Sequence, residues 1–387
     1  MQFDVTWLLL FIPLSFLFGW LASRFDFQQL RLQNRRSPRA YFQGLNHLLQ
    51  GENDAAVADF EQAVRNDPDT PELQFALGYL FRERGQYSPA VRLHEHLLMR
   101  ADLSPAERER AQKALAMDYT RAGILDRAEA ALQRLEGTVH QAYARQIRLA
   151  IYERLRDWSQ ATAVAQQLQV DNPALYTRRL AHYWCEQAQS AAPPEAAIAL
   201  LQQGRHCDPQ APRPLVELAR AYLQAGMGAE AVAVWTALEQ LDGQWLALLA
   251  GDFADAWNSD RKVLQGYINL PEQLSKLYQN LPNMDLLAAL VAVRQQAEGG
   301  SNAAAQSYLG HLRHKPSLVA TARWLESQAD AMHTLLPQDV VLALQKTAQP
   351  LLRYRCNTCG FEGQRHYWHC PGCQAWDAYA PLRIEDL

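Results

Sequence analysis

A short motif recurs along most of this chain, and its period leaves one class of fold open. Gly44, Gly51 and Ala56 return as Gly78, Gly85 and Ala90, a spacing of about 34 residues that holds two helices and two turns. The next copy slips at Ser104-Pro105 and reads Leu115-Ala116, Tyr119, Gly123, Ala128 and Leu132. Further copies read Leu149-Ala150, Tyr152, Ala161, Ala165 and Pro173, then Ala197, Leu201 and Pro209. The clearest is Leu218-Ala219, Tyr222, Gly226, Ala231 and Trp235, and a late one reads Ala304, Tyr308 and Pro316. Small residues in this register let the two helices of a repeat cross closely, while the large ones fill the gap to the next repeat. Asp67-Pro68, Asn172-Pro173 and Asp208-Pro209 are expected to stop the second helix of a repeat, because proline cannot continue one. A generic helical bundle would share the apolar content of 49% but not the phased glycines and alanines. From about Gln240 to Gln296 the fit is poor, and this stretch reads as diverged helix pairs.

The register resembles the tetratricopeptide repeat, in which helix A of every repeat lines a concave binding face. Projected onto that face, the sequence places Arg82, Arg110, Lys113, Arg121, Arg154, Arg213 and Arg220 there, opposed by Glu72, Glu83 and Glu153. The guanidinium excess suggests a partner groove for an acidic peptide or a phosphorylated group. No catalytic constellation accompanies it: there is no glycine-rich phosphate loop, no nucleophile elbow and no His-Glu-x-x-His, so the chain does not read as an enzyme. His94 and His96 lie two apart, point away from each other on a helix, and read as polar-face residues. Trp158, Trp184, Trp235, Trp245, Trp257 and Trp324 read as packing. A formal net charge of −4, with no aromatic-basic stripe, argues against nucleic acid as a ligand.

The far end carries a different signal. Cys356-Asn357-Thr358-Cys359 and Cys370-Pro371-Gly372-Cys373 are two knuckles whose thiolates each point one way off a tight turn. Facing each other, they complete a tetrahedron around one soft divalent ion. Gly360 follows the first pair, where a positive φ turns backbone N–H groups toward sulfur; Gln374 takes the matching place, and Gly372 would supply flexibility. Four sulfurs accept either iron or zinc, and coordination alone does not choose. The segment from Tyr354 to Tyr379 resembles a shortened rubredoxin-like knuckle pair. With four cysteines filling the shell, His366 and His369 are not expected as ligands. Trp368, Trp376, Tyr367 and Tyr379 read as a small aromatic core or as a face that docks on the rest of the chain.

Val5 to Ala22 contains no charged residue. Eighteen helical residues at about 1.5 Å each reach roughly 27 Å, close to the hydrocarbon thickness of a bilayer. Asp4 precedes the stretch and Leu21-Ala22-Ser23 is a poor cleavage site, which disfavours a secretory signal. Arg24, Arg31, Arg35, Arg36 and Arg39 follow it, against Asp26 alone, so the body is expected in the cytoplasm and the N-terminus in the periplasm. The thiols Cys185 and Cys207 suit a reducing compartment.

The expected architecture is all-α: a tetratricopeptide-repeat superhelix with an N-terminal transmembrane helix and a small C-terminal rubredoxin-like metal knuckle domain. Its parts are an anchor (1–23), a basic juxtamembrane segment (24–39), the repeat array (40–348) and the metal-binding domain (349–387). This order of parts resembles the lipopolysaccharide assembly protein B family of Gram-negative bacteria. The resemblance rests on the anchor, the register and Cys356, Cys359, Cys370 and Cys373. It implies a single-pass inner-membrane adaptor that works with the membrane-bound ATP-dependent protease FtsH. Such an adaptor promotes degradation of the deacetylase of the lipid A pathway and helps recruit lipopolysaccharide assembly enzymes. A homo-oligomer is compatible with it. The rival readings are a scaffold for another envelope process and a rubredoxin-type electron carrier.

Overall fold

The computed structural model describes residues 40–259, 261–264, 266–298, 301–328 and 337–387, with Ser15, Phe16 and Trp20. The chain divides into two units, Met1–Leu155 and Arg156–Leu387. In the first, helical residues 40–49 (α1) are followed by α2 (Asn53–Asn66), α3 (Pro71–Glu83), α4 (Tyr87–Met99), α5 (Pro105–Ala122), α6 (Leu125–Gln133) and α7 (Gln141–Leu155). Odd helices are the A members of hairpins and even helices the B members. The second unit continues with α8 (Trp158–Gln169), α9 (Pro173–Gln189), α10 (Pro194–Cys207), α11 (Pro212–Gln224) and α12 (Gly228–Asp242). Then come α13 (Ala247–Ser259), the one-turn α14 (Arg261–Leu264), α15 (Leu270–Asn280), α16 (Met284–Glu298), α17 (Ser301–His314), α18 (Leu318–Ser327) and α19 (Gln338–Ala348). Two short antiparallel strands, β1 (Tyr354–Arg355) and β2 (Glu362–Gly363), open the C-terminal knuckles.

Local chemistry sets these boundaries. Proline occupies the first turn of α3, α5, α9 and α11, where its missing N–H costs no hydrogen bond. Ser104 and Glu107 cap α5 reciprocally: the Ser104 hydroxyl accepts the Glu107 N–H and the Glu107 carboxylate accepts the Ser104 N–H. The turn from helix A to helix B requires a left-handed residue, supplied at Gly85, Gly123 and Gly226. Asn172-Pro173 does not end a B helix as expected. Pro173 opens α9, and the Asn172 side chain accepts the Leu175 N–H at 3.3 Å as its N-cap.

The repeat positions form the core. Ala56, Ala90, Ala116, Ala128, Ala161, Ala219 and Ala231 are wholly buried, with Phe60, Leu132, Leu218 and Trp235 between them. Ala150 is exposed and Ala197 half-buried, so the register slips at both. His94 also departs from expectation. It is fully buried, its Nδ1 2.5 Å from Asp118, and Arg82 donates to the other Asp118 oxygen at 2.8 Å. The missing side chain at Gly78 makes the room: a Cβ there would stand 2.4 Å from His94 Cε1. Between residues 240 and 296 the simple succession of hairpins breaks, because α14 is too short to serve as a partner and α13 packs mainly on α16.

Among the described residues no helix is long and apolar enough to cross a membrane. The expected anchor, and the basic segment after it, lie outside the described residues apart from Ser15, Phe16 and Trp20.

Candidate metal centre and its seat on the helices

The two knuckles are built alike. In the first, the Cys356 N–H donates to Phe361 O and the Gly360 N–H to Cys356 O, both at 2.9 Å. In the second, the Cys370 N–H donates to Ala375 O and the Gln374 N–H to Cys370 O, again at 2.9 Å. Gly360 sits at φ 76° and Gln374 at φ 61°, so the two take the same left-handed turn. Gly372 has another role than the flexibility expected of it. A Cβ there would come within 3.4 Å of Cys359 Sγ and 3.3 Å of Phe361 Cβ, so glycine lets the second knuckle approach the first.

All four Sγ atoms lie within 4.8 Å of one another. Cys356 and Cys373 are 3.8 Å apart, and Cys359 and Cys370 3.7 Å. A tetrahedral ion with metal–sulfur bonds of about 2.3 Å requires sulfurs about 3.8 Å apart, so the donor set fits one such ion. Those separations are far beyond the roughly 2.05 Å of a disulfide. Burial pushes the Cys370 thiol up, but the N–H groups of Cys373 and Gly372 and the neighbouring thiols pull it down to about 6. The Ala375 N–H pulls Cys373 down, yet burial and the other three thiols push it up to about 12. The neighbouring thiols thus oppose a thiolate at Cys373, which is the repulsion a divalent cation would cancel.

Neither intervening histidine turns toward the sulfurs. His366 Nε2 faces Tyr379 O at 3.2 Å, and burial holds the ring down at about 4. His369 Nε2 faces Gln374 O at 2.9 Å, its ring stacked on Trp376. The aromatic residues divide the two roles considered for them. Tyr379 lies in the knuckle core with Tyr367 against it, and its hydroxyl is 3.8 Å from Cys370 Sγ. Trp368 and Trp376 instead face the helices.

That seat is the helix-A side of the second unit. Trp368 stacks on Trp245 with ring centroids 5.0 Å apart, and Trp376 stacks on His182 of α9 at 4.7 Å. Asp377, held at φ 52° by its N–H bond to Trp368 O, presents its carboxylate to His182 Nε2 at 2.9 Å. Burial pushes His182 down while Asp377 pulls it up, leaving the ring below its ordinary range. Further along, Arg383 donates to both oxygens of Asp285 and lies over the Tyr354 ring, while the Tyr354 hydroxyl donates to Asp285 at 2.8 Å. Asp386 accepts the Met284 N–H and Glu385 the Val319 N–H, so two late carboxylates cap the N-termini of α16 and α18.

The cations projected onto the helix-A face fare unequally. Arg82 is buried on Asp118 and the Ala114 carbonyl. Arg213, 1% exposed, donates to Glu186 and Glu217 and lies under Trp376. Arg220 pairs with Asp252 and donates to Leu248 O. Arg110, Arg121 and Arg154 are exposed, and Lys113 is half-buried over the Tyr143 ring. Sequence reasoning missed His182, Trp245 and Trp158 as the seat of the tail. The one available signal was the surplus of tryptophan in both the array and a tail too small to bury its own.

A family model described as the rubredoxin metal binding domain matches residues 354–381. Lipopolysaccharide assembly protein B of Escherichia coli (strain K12) is 28% identical over 388 residues, covering 97% of this chain and 98% of that protein. The protein of the same name from Haemophilus influenzae (strain ATCC 51907 / DSM 11121 / KW20 / Rd) is 28% identical over 401 residues, covering 98% of each. A crystal structure of a tetratricopeptide repeat protein from Parabacteroides merdae ATCC 43184 overlaps 81% of this chain and 99% of its own at 13% identity. The TM-score of that overlap is 0.35. The resemblance read from the order of parts therefore extends along the whole chain, through array and tail alike.

Proposed function

We propose that this chain is a lipopolysaccharide assembly regulator: an inner-membrane adaptor that directs FtsH-dependent proteolysis of the lipid A pathway deacetylase. In this reading it also helps gather lipopolysaccharide assembly enzymes. The observation that carries the proposal is the full-length similarity to proteins named for lipopolysaccharide assembly. Three further features support it. Stacked helix hairpins offer surface to a partner without a reaction centre. Val5 to Ala22 has the length and composition to tether the array beside a membrane protease, which turns weak contacts into high effective concentration. The tail, bound to the helices through Trp368, Trp376 and Asp377, suits a fixed structural piece better than a mobile electron carrier.

In this reading Cys356, Cys359, Cys370 and Cys373 would hold one iron or zinc ion. The ion would supply cross-linking charge that keeps the two knuckles, and hence the tail's docking face, in shape. The residues around it orient and shield: the N–H groups of Gly372 and Cys373 face sulfur, and Tyr379 covers the buried side.

The test is the half-life of the lipid A deacetylase after synthesis is stopped, with and without this protein. A longer half-life on depletion is expected; an unchanged one removes the proteolytic role. Deleting residues 1–22 should leave a folded body that fails to complement, and full complementation would remove the tether from the mechanism.

A further inference from the structure

We infer that the binding surface of the first unit is a cationic stripe along α5, and that it takes an extended acidic segment of a partner protein. The inference rests on reading the helix-A face as the partner surface and narrows that face to one helix and one ligand chemistry. Arg110, Lys113, Met117 and Arg121 follow one another at spacings of three and four, so they line a single side of α5. Arg110 is exposed and stacked over the Phe75 ring at 4.2 Å; Lys113 lies over the Tyr143 ring at 4.5 Å. Stacking fixes the side chains while leaving their charge unspent, which lowers the entropy lost on binding. Among the described residues none of the three cations forms an ion pair with a carboxylate.

Four acids of the unit are engaged elsewhere. Asp118 is taken by Arg82 and His94, Glu95 by the Tyr119 hydroxyl, Glu129 by the Tyr152 hydroxyl, and Glu136 by Arg145 and Arg148. Glu72 and Glu83 remain exposed on the neighbouring α3. They oppose a broad anionic surface such as a membrane, whereas a narrow strand can run along α5 and avoid them. The eleven helical steps from Arg110 to Arg121 rise about 16 Å, and an extended chain covers that in about five residues. The matching ligand therefore carries carboxylates five positions apart with an apolar residue between them, over Met117.

The full chain in phosphatidylcholine nanodiscs is titrated with the fluorescent hexapeptide Glu-Glu-Leu-Leu-Ala-Glu, with Glu-Glu-Glu-Leu-Leu-Ala as control. Saturable binding is expected, tighter for the spaced peptide and weakening as salt rises. The variant R110E/K113E/R121E should weaken it at least about tenfold. R110K/R121K, which keeps the charge and spares the fold, should stay within about threefold. Circular dichroism of both variants confirms that the helices persist. Absence of peptide binding, or equal binding by the charge-reversed variant, overturns the inference. So does capture by phosphatidylglycerol vesicles alone, which would make the stripe a lipid surface. Because this titration does not involve deacetylase turnover, it and the proposed proteolytic role can each fail without the other.

Discussion

Replacing Arg213 separates a groove cation from a structural one. Its guanidinium is 1% exposed, donates at 2.6 Å to Glu217 and 2.8 Å to Glu186, and supports Trp376 of the docked tail. Burial alone would push Arg213 down, but Glu217 and Glu186 outweigh it and keep the side chain charged. Removing one member of a buried ion pair strands the other, at a cost of about 3–5 kcal/mol. In a unit of this size each kcal/mol moves the melting temperature by roughly 2–4 °C, so R213A should melt about 10 °C lower. The loss should depend on pH. Burial already raises Glu217 above its ordinary value against the pull of Arg213, and without Arg213 it rises further. A raised acid loses stability as pH climbs from its unfolded value, about 4.3, toward its folded one. The variant's deficit should therefore be larger at pH 7.5 than at pH 5.5. Circular dichroism melts of the full chain in neutral detergent at both pH values provide the measurement. A variant that melts with the wild type yet loses partner binding would refute this account and return Arg213 to the groove.

The remaining predictions concern the tail and the repeat crossing. C356S/C359S should abolish metal binding, measured by elemental analysis, and unfold the knuckles while the helical circular dichroism persists; retained metal would contradict the four-sulfur site. D377A should weaken the seat by about 1–3 kcal/mol, because His182 Nε2 loses its buried partner; limited proteolysis of the tail reads this directly. The same contact should loosen in acid. His182 is depressed by burial, so the unfolded chain protonates first as pH falls below about 6.5 and stability drains through its folded value. G78A should cost about 1–3 kcal/mol, since its Cβ would stand 2.4 Å from His94 Cε1, and H94A should recover part of that loss in the double variant.

Much of this protein is legible from composition of position alone. Gly85, Gly123 and Gly226 mark the A-to-B turns because only a residue tolerant of positive φ fits there, and buried alanines mark the crossings because larger side chains would separate the helices. The four cysteines announce their site because metal-ligand geometry is local: each knuckle is closed by hydrogen bonds within six residues. What lay beyond the sequence was every contact between distant segments. His94 reads as a surface residue until Gly78 and Asp118, on other helices, close around it. Arg82 and Arg213 read as groove cations because the register fixes which face of a helix they occupy. Whether a carboxylate waits on the adjoining helix is decided by packing, and for both it does. The tail's seat was least visible of all, since His182 and Asp377 are 195 residues apart. Periodicity determines which side of each helix turns inward; only the assembled structure decides which charges meet there and which, like those of Arg110 and Lys113, lie over aromatic rings instead.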